Sequence, residues 1–257
     1  MNFLSEKEKK ISDNFLKRGY LINPTENKKS LDYIILTFTK VVNKILKKKI
    51  RNLDFLHKYI STDDLNEFRM EVYHKINIDK DIRFHYFKIG QNSLYTIAGN
   101  ELMMQNKLNL SIQFPNDSSS LLPIHSDVWQ GNSPYEINLW IPLVNCYKTK
   151  SMFILKGKYR YNYIKNKNIF LNNSDQIFNN LKNKLNWIDI KKGQYLLFDQ
   201  SLPHGNIVNK EKQTRVSLNC RFKSIFSPYG NKKIGEYFSP ISERVMTDIG
   251  NKFESPL

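Results

Sequence analysis

The hydrophobic periodicity of the chain changes once, near residue 107, and that change limits the folds open to it. Before it, apolar residues recur at helical spacing. In 28–49 they fall at Leu31, Ile34, Ile35, Phe38, Val41, Val42 and Ile45, a single stripe over several turns. After it, Leu108, Leu110, Ile112 and Phe114 alternate with Asn109, Ser111 and Gln113, the period of a strand. Residues 1–80 therefore read as mainly helical. Ser5 is a cap for a helix ending at Gly19, and Ser61-Thr62-Asp63-Asp64 caps another before Leu65. A further helix, or helix and turn, is expected over 79–105.

Strands are expected at 121–127, 136–145, 151–155, 186–190, 194–199, 204–209 and 214–222, and a short helix at 172–184 with Ser174 as its cap. Short strands separated by polar turns suggest a β-sandwich or barrel. The fold class is therefore α+β, with a mainly β core and the N-terminal helices packed outside. A chain of 257 residues fits one domain, 1–257, ending in a Gly-, Pro- and Ser-rich tail, 226–257, that wraps the surface.

Hydrophobic residues make up 40% of the chain and aromatics 13%, enough for a substantial core, which excludes wholesale disorder. The net charge of +16 suits an anionic partner: nucleic acid, a phosphorylated or nucleotide-linked substrate, or a membrane surface. The basic residues are dispersed rather than striped, however. The densest run, 47–51, ends an expected helix, where cations suit the dipole. General overuse of lysine is therefore the simpler reading, and nucleic acid is disfavoured. Cys146 and Cys220 lie far apart without metal-ligand spacing, as expected in a reducing cytoplasm. The N-terminus lacks a signal-peptide apolar stretch, and apolar runs such as 33–38 are far too short to insert in a membrane.

Two of the five histidines sit in a chemically suggestive context. His125-Ser126-Asp127 follows a loop and a short apolar run; on a strand, positions i and i+2 point the same way, so an imidazole and a carboxylate would converge. His204 follows the expected strand 195–199. Two imidazoles and one carboxylate on one face leave three octahedral positions open, the arrangement for oxygen activation at non-haem Fe(II). Two of those positions fit a chelating 2-oxoacid and the third O2. Arg215, eleven residues after His204, would return beside it after one hairpin turn, and its fork suits the distal carboxylate of 2-oxoglutarate. Ser217 shares its face. On the same strand Asn219 and Arg221 point with Arg215, and Val216, Leu218, Cys220 and Phe222 point away. If Arg215 faces the interior, Asn219 and Arg221 belong in or near the pocket.

The triad with R-x-S resembles the double-stranded β-helix (jelly-roll, cupin-like) Fe(II)/2-oxoglutarate oxygenases, most closely the phytanoyl-CoA dioxygenase-like branch. The runs 109–115, 121–129 and 133–143 are similar to a smaller bacterial group, the sporadic carbohydrate cluster oxygenases. The resemblance covers about 85–225, implying a jelly-roll catalytic core there, and is loose over the helical N-terminus. It implies iron ligands at His125, Asp127 and His204 and 2-oxoglutarate contacts from Arg215 and Ser217. Gln113 is a further candidate, with Asn138 and Trp140 on the following strand. It also implies the cofactors Fe(II), 2-oxoglutarate and O2, and coupling of 2-oxoglutarate decarboxylation to hydroxylation of an unactivated carbon. Asp127 occupies the position that a small residue takes in halogenase relatives, so halogenation is disfavoured.

The substrate is less constrained. Trp129, Asn132, Tyr135 and Glu136 cluster after the first ligands with the aromatic and polar character that a sugar needs, and 131–134 suits a lid. A sugar or nucleotide-sugar in polysaccharide or natural-product biosynthesis is the expected partner. Three alternatives stand at this point: an oxygenase of nucleic acid, since Arg215 and Arg221 also fit R-x5-R; a non-catalytic jelly-roll binding protein; and zinc or manganese on the same ligands, which would leave Arg215 and Ser217 without purpose.

Overall fold

A computed structural model describes residues 3–164 and 173–254. Helix α1 (Glu6–Arg18) begins with a reciprocal capping box, Ser5 with Glu8, and stops at Gly19, whose φ of 81° favours glycine. Strand β1 (Tyr20–Pro24) follows, and α2 (Lys28–Leu46) ends on Lys47 in the left-handed region. Helices α3 (Leu65–Asn77), α4 (Ile82–Lys88) and α5 (Gln91–Ala98) complete the N-terminal region. Two strands there depart from expectation. β1 was read as helical ground, and β2 (Leu102–Gln105) lies inside the expected helical stretch 79–105. All four residues of β2 are buried, so it carries no alternation to betray it.

The remaining strands are β3 (Asn109–Gln113), β4 (Ile137–Pro142), β5 (Phe153–Leu155), β6 (Leu185–Trp187), β7 (Gln194–Asp199), β8 (His204–Gly205), β9 (Arg215–Ser224) and β10 (Phe238–Pro240). Helix α6 (Arg160–Ile164) follows β5, α7 (Ser174–Leu181) precedes β6, and α8 (Val245–Asn251) closes the described tail. The cap of α7 is Asn173, which forms a capping box with Gln176, and not Ser174. Residue 172 lies outside the described residues. Segment 121–127 is not a strand. It touches the sheets through one isolated bridge, His125 to His204, and Asp127 opens a 3-10 turn, Asp127–Gln130. The expected strand 204–209 shrinks to the two residues of β8.

Seven strands form an antiparallel sheet in the order β1-β7-β4-β9-β2-β10, with β3 also paired to β9. β9 is the spine. One edge carries β4 (Ile137 opposite Phe222, Pro142 opposite Ser217); the other carries β3 (Gln113 opposite Arg215) and then β2 (Met104 opposite Phe222). A second antiparallel sheet runs β6-β5-β8.

The alternation in β9 is resolved by what covers each face. Val216, Leu218, Cys220 and Phe222 are fully buried on the side of the helices, where Phe222 meets Phe87 of α4 and the Tyr86 hydroxyl donates to the Leu139 and Leu218 carbonyls. The polar set faces the other way. One hydrophobic cluster runs from α2 through both sheets. Among the described residues, no helix is long and apolar enough to cross a membrane.

Candidate metal centre

His125 and His204 meet because two backbone segments pair. The His125 amide donates to the His204 carbonyl at 2.9 Å, and the His204 amide returns the bond at 2.8 Å. The approach depends on Gly205. A Cβ there would lie 2.8 Å from the Leu122 carbonyl oxygen and 2.9 Å from that of Pro123, so any side chain would push the His125 segment away. Asp127 is fixed in turn by its amide, which donates to the Gln200 carbonyl, and by Ser126, whose hydroxyl donates to the Ser201 carbonyl. Convergence of the H-x-D pair therefore comes from pinning 125–127 along 200–204, not from a regular strand.

The ligand atoms of His125, Asp127 and His204 lie within 4.8 Å of one another. Each imidazole is already oriented. Nδ1 of His125 lies 2.8 Å from the Pro123 carbonyl, and Nδ1 of His204 lies 2.8 Å from the Leu202 carbonyl. A carbonyl only accepts, so both Nδ1 atoms carry the proton and both Nε2 lone pairs are left for a cation. Burial lowers His204 from 6.5 to about 4, keeping it in the neutral form a metal needs.

Asp127 is divided between two tasks. Oδ2 accepts from Arg221 Nη2 at 2.9 Å, and Oδ1 sits 3.5 Å from His125 Nε2. Burial alone would raise its carboxyl. The charge and hydrogen bond of Arg221 oppose this, and Asp127 is held well below the usual carboxylate range. Arg221 is held in place by Gln200 Oε1 at 2.8 Å and the Tyr237 hydroxyl at 2.6 Å. Burial would lower Arg221, but Asp127 and Tyr237 raise it above its ordinary value.

The three groups sit in the wall of a cavity of about 420 Å3, bounded by residues of both sheets, that also contains Arg215. The Arg215 guanidinium is buried. It donates to Ser111 Oγ at 2.9 Å and the Ser151 carbonyl at 3.3 Å, leaves Nε without a partner, and has no carboxylate partner among the described residues. Burial lowers it to about 10. A buried cation without a counter-charge is costly, so the arrangement calls for an anion.

Of the other sequence candidates, Asn138, Trp140, Asn219 and Arg221 line this cavity, with Asn138 opposite Arg221 and Trp140 opposite Asn219 in the register. Gln113 and Ser217 are fully buried outside its lining, and each keeps one oxygen without a partner. The expected cluster after the first ligands does not line it. Asn132 donates to the Asp127 carbonyl at 3.0 Å, and Trp129 stacks on Tyr163 with ring centroids 5.8 Å apart. Glu136 is buried against Gln200 and Ser133, and burial raises its carboxyl. Tyr135 is exposed beside a different cavity. Trp129, Asn132 and Glu136 serve packing and loop closure instead.

Sequence reading missed Gln200 and Tyr237, which hold Arg221, and Arg69 of α3 and Ser120, which line the cavity. Nothing in the sequence links α3 or the tail to the triad, whereas Gln200 and Ser120 sit four and five residues before a recognised ligand.

By sequence the chain matches no family profile and no curated protein. Its fold is shared with solved structures. One is a non-heme alpha-ketoglutarate-dependent carbocyclase, SnoK, from nogalamycin biosynthesis, at TM-score 0.56 and 12% identity over 93% of this chain and 97% of that one. A second is the non-heme monooxygenase ThoJ in complex with nickel, at TM-score 0.54 and 13% identity over 92% and 85%. A third is HygX from Streptomyces hygroscopicus with nickel, 2-oxoglutarate and hygromycin B bound, at TM-score 0.53 and 12% identity over 90% and 91%. At these identities the likeness is one of fold.

Proposed function

We propose that this chain is an Fe(II)- and 2-oxoglutarate-dependent oxygenase with a jelly-roll core, hydroxylating a small carbohydrate substrate. The observation that carries this is the buried, uncompensated Arg215 in the same cavity as the His125–Asp127–His204 triad. Two imidazoles and a carboxylate suit Fe(II) with open positions, and the nearby lone guanidinium suits the far carboxylate of a chelating 2-oxoacid. Zinc or manganese alone would leave Arg215 without a counter-ion.

Bound there, iron and 2-oxoglutarate supply the oxidising power for O2-driven hydroxylation. The chain's own residues orient and insulate. His125 and His204 present Nε2 because their Nδ1 protons are committed to carbonyls. Asp127 presents one oxygen because Arg221 holds the other. Arg215 anchors the cosubstrate, and Trp140 and Phe198 give the wall an apolar surface that limits water.

The cavity has the size of a small-molecule site, which favours a compact substrate over a nucleic-acid strand. Structural neighbours bind hygromycin B or act in nogalamycin biosynthesis, which supports a sugar-bearing substrate. Two free, buried cysteines support a cytoplasmic setting. The test is succinate release from 2-oxoglutarate across a panel of sugars and nucleotide-sugars. Stimulation by a panel member, lost in Asp127→Ala, supports the reading. A folded, iron-loaded protein that never converts 2-oxoglutarate, with or without the panel, overturns it.

A further inference from the structure

The cavity holds more positive charge than the proposed cosubstrate and metal consume. Its lining contains three arginines, Arg69, Arg215 and Arg221, and one carboxylate, Asp127. Asp127 and Arg221 neutralise each other. A divalent metal and a 2-oxoglutarate dianion would also cancel overall. Arg221 is also approached by the Glu136 carboxylate at 4.0 Å, so it is paired twice, while the charge of Arg69 stays unpaired in a confined space, where fixed charges act at reduced dielectric.

Arg69 is the arginine with no assigned task. It projects from α3 into the cavity lining, is half-buried, and donates from Nη2 to Asn66 Oδ1 at 2.6 Å. It has no acidic partner among the described residues. Ser120, on the loop before the first ligand, lines the same cavity, and its hydroxyl is buried without a hydrogen-bond partner. Both belong to the more exposed part of the lining, whereas Arg215, His204 and Asp127 form its buried part. A cation and an unsatisfied hydroxyl there suit an oxyanion carried in by the substrate rather than by the cosubstrate.

We propose that Arg69, assisted by Ser120, binds a phosphoryl group of the primary substrate, so that the enzyme acts on a phosphorylated sugar and not on a neutral one. A phosphomonoester carries close to two negative charges at neutral pH and suits this net positive wall. The proposal rests on the oxygenase reading, because it counts 2-oxoglutarate as the partner of Arg215.

The probes are glucose, glucuronate and glucose 1-phosphate. Each is titrated into protein loaded with Ni(II) and 2-oxoglutarate, with tryptophan fluorescence as the readout, since Trp140 lines the cavity. Glucose 1-phosphate is expected to bind tightest. Arg69→Ala should weaken it at least tenfold and leave 2-oxoglutarate binding unchanged. Lys40→Ala, which removes an equal charge from the exposed side of α2, should have little effect. Equal binding of glucose 1-phosphate by wild type and Arg69→Ala overturns the proposal. So does glucuronate or glucose binding as tightly as the phosphate, or no binding of the phosphate at all. Failure of wild type to bind 2-oxoglutarate instead overturns the oxygenase reading, and this proposal with it.

Discussion

Arg221 Nη2 lies 2.9 Å from Asp127 Oδ2, so the carboxylate enters the triad with one oxygen engaged and the other aimed at His125. Arg221 thus positions a ligand through a charge-assisted hydrogen bond, itself oriented by Gln200 and Tyr237. Its loss should free Asp127 to rotate. Arg221→Ala is expected to weaken Fe(II) or Ni(II) binding by about 10- to 100-fold with the fold retained. Arg221→Lys should recover only part, because an ammonium cannot reach all three partners at once. Metal titration by calorimetry, with circular dichroism as the fold control, reads this directly; wild-type affinity in Arg221→Ala would show that Asp127 needs no brace.

Arg215 gives opposite expectations for the free and liganded protein. Without an anion, its burial is uncompensated, so Arg215→Met should leave the melting temperature of the ligand-free protein unchanged or raise it. With the metal present, the same change should weaken 2-oxoglutarate on the order of a hundredfold, since removing the partner of a buried charge costs roughly 2–5 kcal/mol. Thermal shift with and without 2-oxoglutarate separates the two effects. A large destabilisation of the ligand-free variant would make Arg215 a structural residue.

His204 sets an acid limb for the metal-free protein. Burial lowers it from 6.5 to about 4, so between these values the unfolded chain binds more protons than the folded one. Stability contributed by this residue is full above 6.5, falls as pH drops towards 4, and changes no further below that. Urea unfolding across pH 4–7 should show a shallower slope in His204→Gln, the whole difference being on the order of 3 kcal/mol. Parallel slopes would contradict a neutral buried imidazole.

Gly205 is where the backbone permits the two imidazoles to meet. In Gly205→Ala the added Cβ meets the Leu122 and Pro123 carbonyls. The expected result is a loss of about 1–3 kcal/mol in stability and a displaced His125, seen as weakened metal binding. A variant with wild-type metal affinity would mean that the approach of 122–125 to β8 is slack.

That His125, Asp127, His204 and Arg215 share one cavity was legible because its signals are local: H-x-D, a distal histidine and an arginine on a strand whose alternation states which side chains share a face. The same alternation in β9 states which residues share its apolar side, and that side meets the helices, as Phe222 does at Phe87. Other features were hidden for physical reasons. β2 is buried on both faces and has no period, and β1 joins the sheet by pairing with β7, far away in sequence. The convergence of His125 and Asp127 was expected from strand geometry but arises from tertiary pinning along 200–204. Trp129, Asn132, Tyr135 and Glu136 looked like a sugar-binding mouth by composition alone. Composition does not report direction: the side chains of Trp129, Asn132 and Glu136 turn to loop and core partners, and Tyr135 is exposed beside a different cavity. Arg69 and Tyr237 reach the site from a helix and from the tail, and no sequence spacing connects either to the triad.

The central claim is that one cavity binds a metal through His125, Asp127 and His204 and chelates 2-oxoglutarate onto it, with Arg215 as anchor. Anaerobic titration of 2-oxoglutarate into the Fe(II)-loaded protein tests this most directly, because chelation produces a visible metal-to-ligand charge-transfer band. Wild type is expected to develop the band, Asp127→Ala to lack it, and Arg215→Ala to need far more 2-oxoglutarate to reach it. A folded, Fe(II)-loaded wild type that stays colourless at saturating 2-oxoglutarate, or a band that persists in Asp127→Ala, would contradict it.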